Sequence, residues 1–152
     1  MSNEGLREFI VKQIPEAEFE ENAKFLIAVI SAEKLRSLSE TLKANPETQF
    51  DFLFCQTGAD YPDRLQVVYH LRSSTLNHSL VVKANILNRE SPQIETVSDI
   101  WRTAEFHERE IYDLLGVVFI NHPDLRRIFL EDDWVGYPLR KDYQDPFNII
   151  EH

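Results

Sequence analysis

A carboxylate stands where the apolar face of a helix should continue. Val97, Ile100, Trp101, Ala104, Ile111 and Leu115 recur at steps of three and four, the spacing of one helical face. The position that should fill the stripe between Ala104 and Ile111 is Glu108. A second stripe, Arg102, Glu105, Arg109 and Asp113, sets opposite charges three or four residues apart. Each such pair supports a helix by about 0.2–0.5 kcal/mol. Thr96 with Asp99 reads as a capping box, and Gly116 supplies a left-handed stop. The spacing therefore predicts a helix over 97–115. Glu108 has two readings. Its stem packs while its head reaches water, or it is a buried carboxylate paired with a cation such as Arg126, Arg127 or Arg140. A lone buried carboxylate is too costly to stand without a partner.

The chain has 152 residues, which suits one compact domain. Its net charge of −10 argues against nucleic-acid binding, which needs Lys and Arg on phosphates, and against anionic membrane surfaces. No stretch approaches the roughly 20 apolar residues of a membrane span, and the first residues lack the apolar core of a signal peptide. The single cysteine, Cys55, cannot form an internal disulfide. It also cannot supply the cysteine set that an iron–sulfur cluster uses. Its setting, Phe50 to Cys55, reads as a buried strand, so a packed, inert thiol is expected.

Leu6, Phe9 and Ile10 mark a short helix ahead of Pro15, and residues 23–30 read as a buried strand. Ser31 can cap a helix whose stripe is Leu35, Leu38 and Leu42, ending at Asn45-Pro46. Three strand-like runs follow at 50–55, 65–71 and 80–86. Period two gives each one buried face: Phe50, Phe52 and Phe54; Leu65, Val67, Tyr69 and Leu71; Leu80, Val82, Ala84 and Ile86. Residues 58–62 and 73–77 supply the turns. Strands run in succession, which favours an α+β fold of two layers. The sheet is mixed but mainly antiparallel, with a meander of the three runs and the helices on one face. The pattern divides the chain into a compact domain over 1–120 and an extended interaction arm over 121–152. The arm is irregular but rich in apolar and aromatic residues, which a disordered tail would lack.

Motifs for catalysis are scarce. His107-Glu108 opens like a zinc-binding His-Glu-x-x-His run, but Ile111 stands where the second histidine belongs. The four glycines are scattered, so there is no phosphate loop. Glu105, Glu108, Glu110 and Asp113 could supply acid–base carboxylates, yet Arg102 and Arg109 stand among them at salt-bridge spacing, which favours a solvated or partner-facing ion network. Arg126-Arg127 and Arg140-Lys141 are basic doublets flanked by acids, suited to bidentate pairing with carboxylates at an interface. A stand-alone acid–base enzyme using Glu108 and His107, and a free regulatory binding module, remain as alternative classes.

The run His107-Glu108-Arg109-Glu110-Ile111-Tyr112-Asp113-Leu114-Leu115-Gly116, then His122-Pro123-Asp124-Leu125-Arg126-Arg127, then Trp134-x-Gly136-x-Pro138-Leu139-Arg140-Lys141-Asp142, resembles a known signature. It is that of the 30-kDa subunit family of respiratory complex I, the proton-pumping NADH–quinone oxidoreductase. The resemblance implies a structural subunit of the peripheral arm, on the cytoplasmic side of the bacterial inner membrane. Such a subunit packs on the large hydrogenase-like subunit near the quinone site and beside the iron–sulfur subunits. It implies no redox cofactor in this chain and no direct membrane insertion; the clusters and the quinone site belong to neighbouring subunits. Glu108, Arg109, Glu110, Asp113, His122, Arg126, Arg127, Trp134, Arg140, Lys141 and Asp142 become interface candidates on this reading, with no catalytic residue among them.

Overall fold

The computed structural model describes residues 2–21, 24–128 and 136–140. Ten elements follow in order: α1 (Asn3–Gln13), β1 (Glu18–Glu21), β2 (Leu26–Ser31), α2 (Ala32–Ala44), β3 (Phe52–Tyr61), β4 (Arg64–Ser73), β5 (His78–Ile86), β6 (Gln93–Glu95), α3 (Ala104–Leu115) and β7 (Val118–Ile120). The fold is α+β. One mixed sheet has the strand order β1-β2-β5-β4-β3, and β6 and β7 form a small second sheet.

Alternation explains the large sheet. Strands β3, β4 and β5 make the antiparallel meander, and β2 joins β5 in parallel. Cross-strand rows on one face are buried throughout: Leu26, Leu80, Leu71 and Leu53; Ala28, Val82, Tyr69 and Gln56. These rows share one apolar core with Leu6 and Ile10 of α1, Leu35, Leu38 and Leu42 of α2, and Ile111 and Leu115 of α3. The opposite face is mixed, and its polar groups pair with one another. Gln66 Nε2 donates to Asn85 Oδ1 at 2.7 Å, and Lys83 Nζ reaches Glu20 Oε2 at 3.1 Å.

Three local expectations are corrected. First, α3 begins at Ala104, not at 97. Residues 97–103 form tight turns, because their polar groups are held by partners elsewhere in the fold. Asp99 is held by Arg36 in a bidentate pair (2.7 and 2.8 Å), Trp101 Nε1 donates to Phe50 O at 2.9 Å, and Thr103 Oγ1 donates to Leu53 O at 2.6 Å. The Thr96–Asp99 capping box therefore does not form, although Val97, Ile100 and Trp101 stay buried as the stripe required. Second, the register of β3 shifts between Leu53 and Cys55. Leu53, not Phe52 or Phe54, turns inward, and the two phenylalanines are left 46% and 47% exposed. Third, Gly58 is inside β3 and not in a turn; the hairpin loop is Pro62-Asp63. Gly58 is where α3 crosses the strand. A β-carbon there would lie 2.4 Å from Leu115 Cδ1 and 3.2 Å from Ile111 Cγ2.

Strands β1, β6 and β7 have no counterpart in the sequence pattern. With three or four residues each, they are too short for a period to show. β6 and β7 run parallel with α3 as their crossover, as parallel neighbours require. Gly116 ends α3 in the left-handed conformation (φ 80°), its N–H donating to Tyr112 O at 2.9 Å. A β-carbon at this position would also sit 2.6 Å from the Tyr137 ring. Gly116→Ala meets both backbone strain and a clash, so its expected cost is about 2 kcal/mol, read as a lowered urea midpoint with an unchanged slope.

Candidate docking surface at the third helix

Burial on the inward side of α3 puts two carboxylates where water does not reach. Glu108 and Asp113 are both 0% exposed, and they are satisfied by different means.

Glu108 sits among neutral donors. Val97 N–H donates to its Oε2 at 3.0 Å, Gln56 Nε2 donates to the same oxygen at 3.4 Å, and the Thr96 hydroxyl donates to Oε1. No arginine reaches it among the described residues, so the reading that pairs it with Arg126, Arg127 or Arg140 is corrected, and so is the one that sends its head to water. Burial is the main influence and pushes its pKa up to about 7, against the lowering by the Thr96, Val97 and Gln56 hydrogen bonds. The nearest basic group is His122 Nε2, at 3.9 Å from Oε1. That imidazole is already engaged on both sides. Asp124 N–H donates to Nδ1 at 3.0 Å, so Nε2 carries the proton and donates to Glu105 O at 2.9 Å. His122 thus pins the residues after β7 onto the first turn of α3.

Asp113 carries the ion pair that one reading placed on Glu108. Arg127 Nη1 lies 3.2 Å from Asp113 Oδ1 and donates to Asp113 O at 3.0 Å, while Ile128 N–H donates to Oδ2 at 3.1 Å. Arg127 Nη2 donates to Gly136 O at 2.9 Å, and the guanidinium lies 4.9 Å from the centre of the Tyr137 ring. Arg109 does not pair along the helix as its spacing suggested. Its Nε and Nη2 donate to the carbonyls of Arg126 (3.3 Å) and Arg127 (3.4 Å). Arg126 itself points outward and pairs only with Asp124, at 3.1 Å, among the described residues.

Residues 136–140 return to the same helix. Leu139 N–H donates to Leu114 O at 2.9 Å, and Arg140 Nη2 donates to Arg89 O. Glu110 and His107 line a cavity of about 370 Å³ between β3 and α3, with Cys55, Gly58 and Ile111 in its wall. Cys55 is therefore half-buried beside a cavity, not packed into the core as expected. Of the interface candidates, Trp134, Lys141 and Asp142 lie outside the described residues. The structure brings Glu108 and His122 together, and joins Arg109, Asp113, Arg126 and Arg127 into one network, while Glu110 and Arg140 lie apart. Gln56, Thr96 and Tyr137 take part without any signal in the sequence, since neither amide, hydroxyl nor phenol breaks a period there.

Among the described residues there is no cluster of three or more His, Cys, Asp or Glu that could hold a metal, and no helix is long and apolar enough to cross a membrane. What the geometry offers is a helix whose charged groups bind the chain's own later segment. The chain belongs to the family described as respiratory-chain NADH dehydrogenase, 30 Kd subunit, which residues 28–146 match. It is 52% identical over 122 residues to the C/D subunit of the NADH-quinone oxidoreductase of Phocaeicola vulgatus, covering 80% of this chain and 23% of that protein. It is 40% identical to the C subunit of the Moorella thermoacetica enzyme, over 86% of this chain and 87% of that one. The chain thus spans about a quarter of the C/D relative and most of the shorter one. A chain in the structure of the membrane-bound sulfane sulfur reductase, an archaeal respiratory membrane complex, superposes with a TM-score of 0.73 at 26% identity. That match covers 95% of this chain and 86% of the other.

Proposed function

We propose that this chain is a non-redox structural subunit in the peripheral arm of a proton-translocating NADH– or ferredoxin–quinone oxidoreductase. It sits on the cytoplasmic side of the membrane and docks on the large hydrogenase-like subunit near the quinone site. The docking surface is α3 with the arm over 121–152; the compact domain over 1–120 carries it. Arg126 faces outward to the partner, with Trp134, Lys141 and Asp142 as further contact candidates, since aromatic and arginine side chains dominate interface energetics. Asp113 and Arg127 hold the arm in shape from inside, while Glu108 is bonded within the compact domain, to Thr96, Val97 and Gln56. The observation that carries the reading is the Asp113–Arg127 pair, an internal clamp that presents the start of the arm while Arg126 beside it faces outward. Two further facts support it. A relative whose name joins the C and D subunits contains this chain's counterpart, and a fold match lies within a membrane-bound respiratory complex.

Purification of the native protein from membranes tests the reading, with co-migration with iron–sulfur subunits in one large complex as the expected result. Arg126→Glu is the sharper variant. Its exposed pair with Asp124 is worth under about 1 kcal/mol, so melting of the isolated chain stays unchanged. Incorporation into the complex falls, because charge reversal at an interface costs several kcal/mol. A small soluble species with turnover of its own would refute the proposal.

A further inference from the structure

Strand β3 is the outer strand of the large sheet, and among the described residues no further strand pairs with it. Edge strands are normally blunted by Lys, Pro or a covering element, since half their backbone groups point away from the sheet. Between Phe52 and Tyr61 there is no Lys, Arg or Pro. The register shift is confined to Leu53–Cys55, and pairing with β4 then runs without a break to Tyr61. Thr103 covers the carbonyl of Leu53. From Phe54 to Asp60, no other backbone hydrogen bond from outside the sheet reaches the strand among the described residues.

Alongside this edge runs the cavity of about 370 Å³, walled by Cys55, Gln56 and Gly58 on the strand side and by Ile111, Leu114 and Leu115 on the helix side. The lining is apolar except for His107, Glu110 and a few strand groups. Glu110 makes no ion pair or hydrogen bond among the described residues, whereas Asp60 at the far end of β3 is held by Arg89. Leu139 also lines the cavity, its backbone bonded to α3.

We propose that this edge and groove receive an extended segment of a neighbouring subunit, added to β3 as a further strand, with apolar side chains toward α3 and a basic residue opposite Glu110. Backbone pairing along an open edge supplies affinity, and alternate side chains in the groove supply specificity. A basic residue is required because the one unmatched charge in the groove, among the described residues, is acidic. Edge-to-edge pairing with β3 of a second copy does not meet that need, since that strand offers no cation. The inference rests on the reading of the chain as part of a larger complex.

Cys55, the single cysteine, reports on the groove directly. N-ethylmaleimide is applied to the isolated full-length chain and to the intact membrane complex. Thiol reaction depends on access, so modification should be slower by at least about tenfold in the complex and recover on denaturation. Photo-cross-linking from Phe54→p-benzoylphenylalanine should capture, in another subunit, a peptide of alternating apolar residues that contains Lys or Arg. A Cys55 equally reactive in both states overturns the proposal, as does a cross-link to a second copy or to residues 141–152 of the same chain. Protection already present in the isolated chain and relieved by deleting 141–152 also overturns it. A chain that never co-purifies with the complex defeats the subunit reading itself, while one that co-purifies with a reactive Cys55 defeats only strand addition.

Discussion

Arg127→Ala should lower the stability of the isolated chain by about 3–5 kcal/mol, the range for removing one partner of a buried ion pair. The reason lies in what remains. Asp113 is 0% exposed, and the Ile128 N–H that donates to Oδ2 at 3.1 Å does not replace the charge of the guanidinium. The substitution also releases the Gly136 carbonyl and the contact with the Tyr137 ring. Arg127→Lys should recover only part of the loss, because one ammonium cannot reach Asp113 and Gly136 together in the fork geometry of a guanidinium. Asp113→Asn alone should cost less than Arg127→Ala, since it leaves a cation close enough to the surface to be hydrated. Arg127→Met with Asp113→Asn should cost less than the sum of the two single changes, with a coupling of about 1–3 kcal/mol. Urea unfolding of these variants beside the parent measures this. A melting point within a degree or two of the parent for Arg127→Ala would sink the claim, because the expected cost corresponds to roughly 10 °C in a chain of this size.

Such a pair cannot be read from spacing. Arg127 lies 14 residues beyond Asp113, after a helix stop and a strand, and the sequence suggests instead that Asp113 pairs along its own helix. What is legible is the local periodicity. The Leu35, Leu38 and Leu42 stripe, the meander and the apolar face of α3 rest on side-chain steps that the backbone geometry imposes. Glu108 is legible as an anomaly for the same reason, but its partners are not. Gln56 stands 52 residues away on a strand, and Thr96 is delivered by a turn that replaces the expected helical start. The Phe50, Phe52 and Phe54 reading holds only for Phe50, which is buried but lies before β3 begins, so the strand takes its inward face from Leu53. With period two, the one-residue shift after Leu53 exchanges the faces again and turns Gln56 inward in place of Cys55. Side chains far apart in sequence, and irregularities one residue long, leave no periodic trace.

The stability of the isolated chain should fall as pH rises from about 5 to about 8, and Glu108→Gln should remove most of that fall. Burial holds the Glu108 carboxyl at about 7 in the folded state, above its ordinary value of 4.5. The folded state therefore binds the proton more tightly than the unfolded one, and stability decreases with pH wherever the folded state carries the extra proton. The contribution is fully present below about pH 4.5 and is lost as pH rises through 7. At 1.36 kcal/mol per unit, the shift corresponds to at most about 3 kcal/mol, or roughly 5–10 °C in melting temperature. Opposing it at low pH are Asp99 and Asp51, whose carboxyls are held below their usual range by hydrogen bonds from Arg36 and Ser74. Their contribution is present above the ordinary carboxylate range and is lost as pH falls, so maximum stability should lie in the mildly acidic region. The Glu108→Gln variant is compared with the parent across the whole pH range and not at one pH, because an amide changes the hydrogen-bond pattern with Thr96 and Val97; the slope against pH isolates the proton. The difference between the two profiles reports the carboxyl together with its contact to His122, whose Nε2 lies 3.9 Å from Oε1. Parallel pH profiles for the parent and Glu108→Gln would mean that the carboxyl titrates alike in the folded and unfolded chains, and that its burial carries no energetic consequence.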